Sequence, residues 1–256
     1  MDEHISTIID ALTISVSDAV SVSSSKAATA LSGGVDSCIV AAISRLPAVA
    51  VGAKGSHDLD AAKKAASVLN LPLTVYEITE EEIPEALSFL VPVIPKKTSM
   101  DAEIAVTEYF VCKLAKESGY DTLLTGQGAD ELFGGYARYG GSSHLREDLE
   151  ADLAAYPLQQ KRDFAAASLF GITFRQPFMD KRVITAASNL TAEELISEDL
   201  RKIALRRAAE TWLPKDLAWK PKKAMQYGSG VSKMIARLAK KENTNPQKYI
   251  EQFVEE

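Results

Sequence analysis

Short apolar runs alternate with helical stretches over the first half of the chain. Residues 27–31, 48–53, 73–78 and 122–125 are compact apolar or β-branched segments, and they predict strands. Between them, 38–46, 59–69, 80–90 and 100–118 repeat apolar residues every three or four positions and predict helices. Ser56 and Asp58 are candidate caps for the second of these helices, and Gly119 suits the position just past the end of the fourth. Residues 1–26 read as a lead-in helix and a serine-rich linker. From about Gly141 the pattern becomes helical, over 142–155, 158–170, 181–188 and 199–212. Pro157, Pro177, Pro214 and Pro221 are expected to interrupt it. The expected fold class is therefore α/β: a doubly wound, mostly parallel sheet in 27–140, then an α-helical region in 141–256 that completes the site. The charged tail 240–256 reads as a solvated face.

Composition narrows the function classes. Of 256 residues, 46% are hydrophobic, which is enough for a sizeable core. The formal net charge of −6 argues against a general nucleic-acid surface. No apolar run approaches the roughly 20 residues of a membrane span. Met1-Asp2-Glu3-His4 lacks the basic start of a signal peptide, so a cytoplasmic setting is expected. Two cysteines, Cys38 and Cys112, lie inside helical patterns and do not suggest a disulfide scaffold. The three histidines show no zinc-ligand spacing.

Two loops carry the candidate chemistry. The first is Leu31-Ser32-Gly33-Gly34-Val35-Asp36-Ser37, set between a predicted strand and a predicted helix. Its glycines admit close backbone approach, and the helix N-terminus favours an anion. The loop has no lysine and is not a Walker A loop. Asp36 suits phosphate only through a cation, so the loop reads as a cradle for a Mg²⁺-bound pyrophosphate. The second is Gly126-Gln127-Gly128-Ala129-Asp130-Glu131-Leu132-Phe133-Gly134-Gly135-Tyr136, after the strand at 122–125. It lacks the third glycine of a dinucleotide fingerprint. Asp130 and Glu131 can hold Mg²⁺, and Asp36 with Asp130 would make one metal site if the two strand ends adjoin.

The first loop resembles that of the ATP pyrophosphatase (PP-loop) superfamily, whose members cleave ATP between its α and β phosphates. The second resembles the signature of the asparagine synthetase family's synthase domain. Arg175, Pro177, Phe178 and Asp180 match that family's R-x-P-[FY]-[LM]-D. Leu213-Pro214 with Trp219-Lys220-Pro221-Lys222 matches its L-P-x₄-W-[RK]-x-K, and 50–58 is similar to its second-strand nucleotide segment. The resemblance covers about 25–238. It implies that Ser32, Gly33, Gly34, Asp36 and Ser37 hold pyrophosphate and that Leu31, Val51 and Gly126 contact AMP. It also implies that Asp36 and Asp130 bind Mg²⁺ and that Lys222 stabilises charge on the phosphates, with Lys223 as the alternative register. The implied activity is an AMP-forming ligase. ATP activates a carboxylate, aspartate first, as an acyl-adenylate with release of pyrophosphate, and ammonia then displaces AMP.

Three departures qualify that expectation. No glutaminase segment precedes the first loop, so ammonia is expected from solution or from a separate glutaminase subunit. The signature's second residue, usually a glutamate proposed to serve amide formation, is Gln127, which cannot take a proton and is expected instead to position an intermediate through hydrogen bonds, so that any base must be another group. Glu103 stands by spacing where the family's aspartate-recognising arginine falls, with Lys96 or Lys97 as replacements in a shifted register. The alternatives are a relative acting on another carboxylate or on tRNA, or a non-catalytic nucleotide-binding subunit. A homo-oligomer is left open.

Overall fold

The computed structural model describes residues 2–23, 26–197, 200–221 and 225–254. The first helix, α1 (Glu3–Ser21), is capped by the Asp2 carboxylate. Then come β1 (Ala27–Ala30), α2 (Val35–Ser44), β2 (Ala48–Ala53), α3 (His57–Leu69), β3 (Leu73–Ile78), α4 (Ile83–Leu90), α5 (Ser99–Glu117), β4 (Thr122–Leu124) and α6 (Ala129–Phe133). The remainder is α7 (Leu145–Phe170), β5 (Thr173–Arg175), α8 (Lys181–Ser188), α9 (Ala192–Leu195), a β6–β7 ribbon (Ile196–Ser197, Leu200–Arg201), α10 (Ile203–Ala209), α11 (Lys215–Ala218), α12 (Met225–Gly228), α13 (Val231–Lys241) and α14 (Pro246–Glu251).

Five parallel strands stand in the order β3-β2-β1-β4-β5. The chain runs outward from β1 to β3, then returns to the other side of β1 with β4. The reversal between β1 and β4 is the switch point at which open α/β sheets leave a crevice beyond their strand C-termini. Strand β1, Ala-Ala-Thr-Ala, is central and lies between two helical layers, so its side chains are small. One core layer joins α1, α2, α3, α8 and α10 on one face; the other joins α4, α5, α13 and α14 on the opposite face. This is the doubly wound sheet that the strand–helix alternation predicts.

Several boundaries follow local chemistry. Ser56 caps α3 by accepting from the Leu59 N–H, while Asp58 takes no part in the cap. Gly119 follows α5 with φ of 83°, a left-handed conformation that glycine adopts without strain.

Other elements differ from expectation. Pro157 does not interrupt a helix: α7 runs through it for 26 residues. An internal proline costs about 3 kcal/mol, and the packing of α7 on α5 and α6 offsets it. The helix expected over 199–212 begins at Ile203, after the β6–β7 ribbon, and Asp199 lies outside the described residues. Strand β5 is three residues long, too short for its alternation to announce a strand, and exists through its pairing with β4. The lead-in helix is an integral layer: Ser15 Oγ, buried, donates to the Pro177 carbonyl at 2.7 Å, and α1 packs on α8 and α10. Among the described residues, no helix is long and apolar enough to cross a membrane.

Candidate active site

The loops after β1 and β4 meet. Gly33 sits at φ 73°, and a Cβ there would lie 2.4 Å from the Ala61 carbonyl carbon, so only glycine fits the turn. Ser32 and Ser37 brace it. The Ser32 N–H donates to Ser37 Oγ at 3.2 Å, the two hydroxyls lie 3.1 Å apart, and Ser37 Oγ donates to the Gly34 carbonyl at 3.1 Å. These hydroxyls thus shape the cradle as well as line it. No side chain caps the N-terminus of α2, and Gly34, Val35 and Asp36 line a small cleft there together with Arg206 and Lys220. That geometry suits an anion.

Gly126, in the second loop, is a contact point between the loops. A Cβ on it would lie 2.7 Å from the Ser37 backbone nitrogen and 2.8 Å from the Asp36 carbonyl carbon. Both neighbours are backbone, so neither can step aside cheaply. Overpacking of this kind costs about 1–3 kcal/mol, so Gly126→Ala is expected to weaken ATP binding at least about five-fold by calorimetry. Wild-type affinity in that variant would show that the two loops need no such contact.

Asp36, in the first turn of α2, and Asp130, in the first turn of α6, converge on one cation. Lys202 Nζ donates to both Asp36 oxygens at 2.7 Å and pairs with Asp130 Oδ1 at 2.8 Å. The lysine is buried in a left-handed conformation, φ 59°. Burial works against its charge, but Asp130 and Asp36 outweigh it and hold its pKa above the usual lysine value. Gly135 leaves space for this cluster, since a Cβ there would lie 1.7 Å from Asp130 Oδ1. The sequence reading missed Lys202: a lysine ahead of a short apolar helix looks like any solvated charge. Two carboxylates able to share one ammonium, beside an anion cradle, are a donor set that also fits Mg²⁺. Glu131 turns elsewhere, accepting from the Tyr136 hydroxyl and from Gln159 Nε2.

A cavity of about 420 Å³ runs from Leu31, Ser32, Asp36 and Ser37, past Val51, Gly126, Gln127 and Asp130, to α5 and α7. Helix α5 presents Ile104, Thr107, Glu108 and Val111 to it, one face at helical spacing. Helix α7 presents Tyr156, Gln159, Arg162 and Asp163. The Tyr156 hydroxyl is buried and has no hydrogen-bond partner among the described residues. Arg162 Nε donates to Asp163 Oδ1 at 2.9 Å, and its Nη1 donates to Asp101 Oδ1 at 3.2 Å. Burial raises the Asp163 carboxyl to about 6 despite Arg162.

Glu103 does not line the cavity. It is buried and bonded to Ser232, and burial raises its pKa. Nor does either lysine replace an arginine in the cavity wall. Lys97 binds the Val91, Pro92 and Ile94 carbonyls after α4, and Lys96 is exposed. The guanidinium groups in the wall come instead from Arg162 and Arg201, neither of which the sequence reading singled out. Burial pushes the Cys38 thiol up to about 12, so it is no nucleophile at neutral pH. Lys222 and Lys223 lie outside the described residues. Arg206 holds the segment leading to them, donating to the Ala218 carbonyl at 2.7 Å and the Lys220 carbonyl at 3.0 Å.

The asparagine synthase family model matches residues 7–168 and 151–255. A putative glutamine-hydrolysing asparagine synthetase of Methanocaldococcus jannaschii is 34% identical over 82% of this chain and 47% of its own length. Asparagine synthetase B of Escherichia coli is 29% identical over 79% of this chain and 41% of its own. An asparagine synthetase of Zea mays is 27% identical over 78% of this chain and 39% of its own. The chain thus spans less than half the length of these relatives.

Proposed function

The chain belongs to the asparagine synthase family, and we propose on that footing that it is an ATP-dependent, AMP-forming amide synthetase. A carboxylate oxygen attacks the α-phosphorus of ATP, and the bond to the bridging β-phosphate oxygen breaks, giving an acyl-adenylate and pyrophosphate. Ammonia then attacks the acyl carbon, and AMP leaves with the amide formed. Aspartate is the first acceptor to test.

The observation that carries this reading is the convergence of Asp36 and Asp130 on one buried cation beside the cradle at 32–37. Displacement at phosphorus needs positioning and charge neutralisation more than covalent help. The α2 N-terminus and the loop glycines bind the β and γ phosphates, Gly126 brings backbone against AMP, and Leu31 and Val51 border the adenosine. Arg206 and Lys220 add positive charge at the phosphates, and the family resemblance assigns the same role to Lys222. Asp36 and Asp130 would hold Mg²⁺, which would neutralise the departing pyrophosphate. The carboxylate substrate occupies the end of the cavity between α5 and α7.

The test is incubation with ATP, Mg²⁺, ammonium and a panel of carboxylates led by aspartate. Equal yields of AMP, pyrophosphate and amide for one member are expected. ATP binding without AMP formation across the panel would overturn the ligase reading in favour of a nucleotide-binding subunit.

A further inference from the structure

Amide formation from an acyl-adenylate releases a proton, and the cavity contains one carboxylate placed to take it. We propose that Glu108 of α5 is the proton acceptor for the nitrogen nucleophile. The inference rests on the ligase reading above and assigns it a residue in its second half-reaction. Ammonia attacks the acyl carbon, one N–H proton passes to a Glu108 carboxylate oxygen, and the carbon–oxygen bond to AMP breaks. AMP departs with its bonding pair, and Glu108 later returns the proton to solvent.

Elimination supports the choice. Asp36 and Asp130 are committed to Lys202, and Asp58, which also borders the cavity, is bonded through Oδ1 to His57 Nδ1 at 3.0 Å. Glu131 is held by Tyr136 and Gln159. Asp163 is paired with Arg162 at 2.9 Å. No histidine borders the large cavity. Glu108 lines it, is buried, and makes no ion pair among the described residues. Its hydrogen bond, 2.9 Å from Gln127 Nε2, ties it to the loop that carries Gly126 and Asp130.

Gln127 fixes that carboxylate. Its amide donates to Glu108 and, at 2.9 Å, to Asp163 Oδ2. Its oxygen accepts from Thr125 Oγ1 at 3.1 Å and from Gln176 Nε2 at 2.8 Å. Both donors and both acceptor directions are used, so the amide cannot turn. A carboxylate at 127 would instead face Glu108 and Asp163 across hydrogen-bond distance, three acids in one buried cluster. The amide at 127 is what allows an acid at 108.

The titration suits the task. Burial and Asp163 push the Glu108 carboxyl up to about 8, with Arg162 opposing. Among the described residues, the charged and titratable groups that interact with it are Asp163, Arg162 and Tyr156 of α7 and Cys112 on α5 itself. A base whose pKa is near the working pH is the efficient one.

The readout is amide formed per pyrophosphate released, with free ammonia held constant from pH 6.5 to 9. In the wild-type protein this ratio is expected to rise with a midpoint near the Glu108 pKa. Losing a general base costs about 10²–10⁴-fold, so Glu108→Gln is expected to lower the ratio at pH 8.5 at least about ten-fold, the adenylate being lost to water. The variant's ratio is also expected to lose its pH dependence, and Glu108→Asp to restore a pH-dependent rise. Misfolding is not the expected cause. The folded chain holds a proton that the unfolded chain releases above about 4.5, so this group lowers stability progressively as pH rises from there to about 8. Glu108→Gln removes that loss and is expected to melt no lower than wild type above pH 8.

A wild-type ratio in Glu108→Gln would overturn the proposal. So would a lowered ratio that keeps the wild-type pH profile, which would mark a purely structural role. Absence of pyrophosphate release by the wild-type protein with every carboxylate would overturn the ligase reading itself, and is seen before any variant is made.

Discussion

An Asp36→Ala variant is expected to release pyrophosphate from ATP about 10²–10³-fold more slowly than the wild-type protein, the scale of losing one preorganised group at a charge-developing site. Both oxygens of Asp36 are used, each accepting from Lys202 at 2.7 Å. The residue stands in the first turn of α2, where the sheet reversal opens the cavity. Its loss leaves Asp130 alone to fix the Lys202 cation beside the 32–37 loop. Asp60→Ala serves as the control, because Asp60 is an exposed acid in the first turn of α3 and its removal changes net charge equally. A coupled pyrophosphate assay reads both. Comparable rates in the two variants would sink the cation clamp and with it the mechanism above.

Lys202→Met is expected to unfold more readily. The lysine side chain is 1% exposed, whereas those of Asp36 and Asp130 are 16% and 19% exposed. Removing one partner of a buried ion cluster costs about 3–5 kcal/mol, and the low end applies here because the two carboxylates border the cavity. For a chain of this size about 3 kcal/mol corresponds to roughly 6–12 °C in melting temperature. The two acids then lack a counter-ion, so millimolar Mg²⁺ is expected to raise the melting temperature of the variant more than that of the wild-type protein, by mass action on the folded state. Scanning calorimetry with and without Mg²⁺ measures both effects. Identical melting of variant and wild type would mean that the lysine contributes no net stability. Indifference of the variant to Mg²⁺ would show that the two acids do not form a divalent site.

Much of the molecule is legible from its residues because the signals are local. The strand–helix alternation over 27–125 gives the parallel sheet, since period and turn chemistry are written within each segment. The two glycine–acid loops are visible as motifs, and the prediction that Asp36 and Asp130 share one site follows from where such loops must lie in a doubly wound sheet. Local signals also mislead. Pro157 reads as a stop, yet α7 continues through it because tertiary packing outweighs the missing hydrogen bond. Glu103 reads as a threat to a substrate carboxylate, yet the rotation of α5 turns Ile104, Thr107, Glu108 and Val111 to the cavity in its place. The sequence held one weak clue to Glu108, the only charged residue in a run from Ala105 to Val111 that is otherwise apolar but for Thr107.

The sequence by itself determined the alternating elements, the two turns and the acids they carry, because each depends on neighbours a few residues apart. Only the tertiary structure decided that Lys202, 166 residues from Asp36, lies between the two acids. It also decided that β5 joins the sheet beside β4, and that Gln127 ties Glu108 to Asp163. These contacts link segments remote in the chain, and no local period or turn preference encodes them. They exist because packing the helical layers against the sheet leaves each of these polar groups a single buried partner set with which its charge or hydrogen bonds can be met.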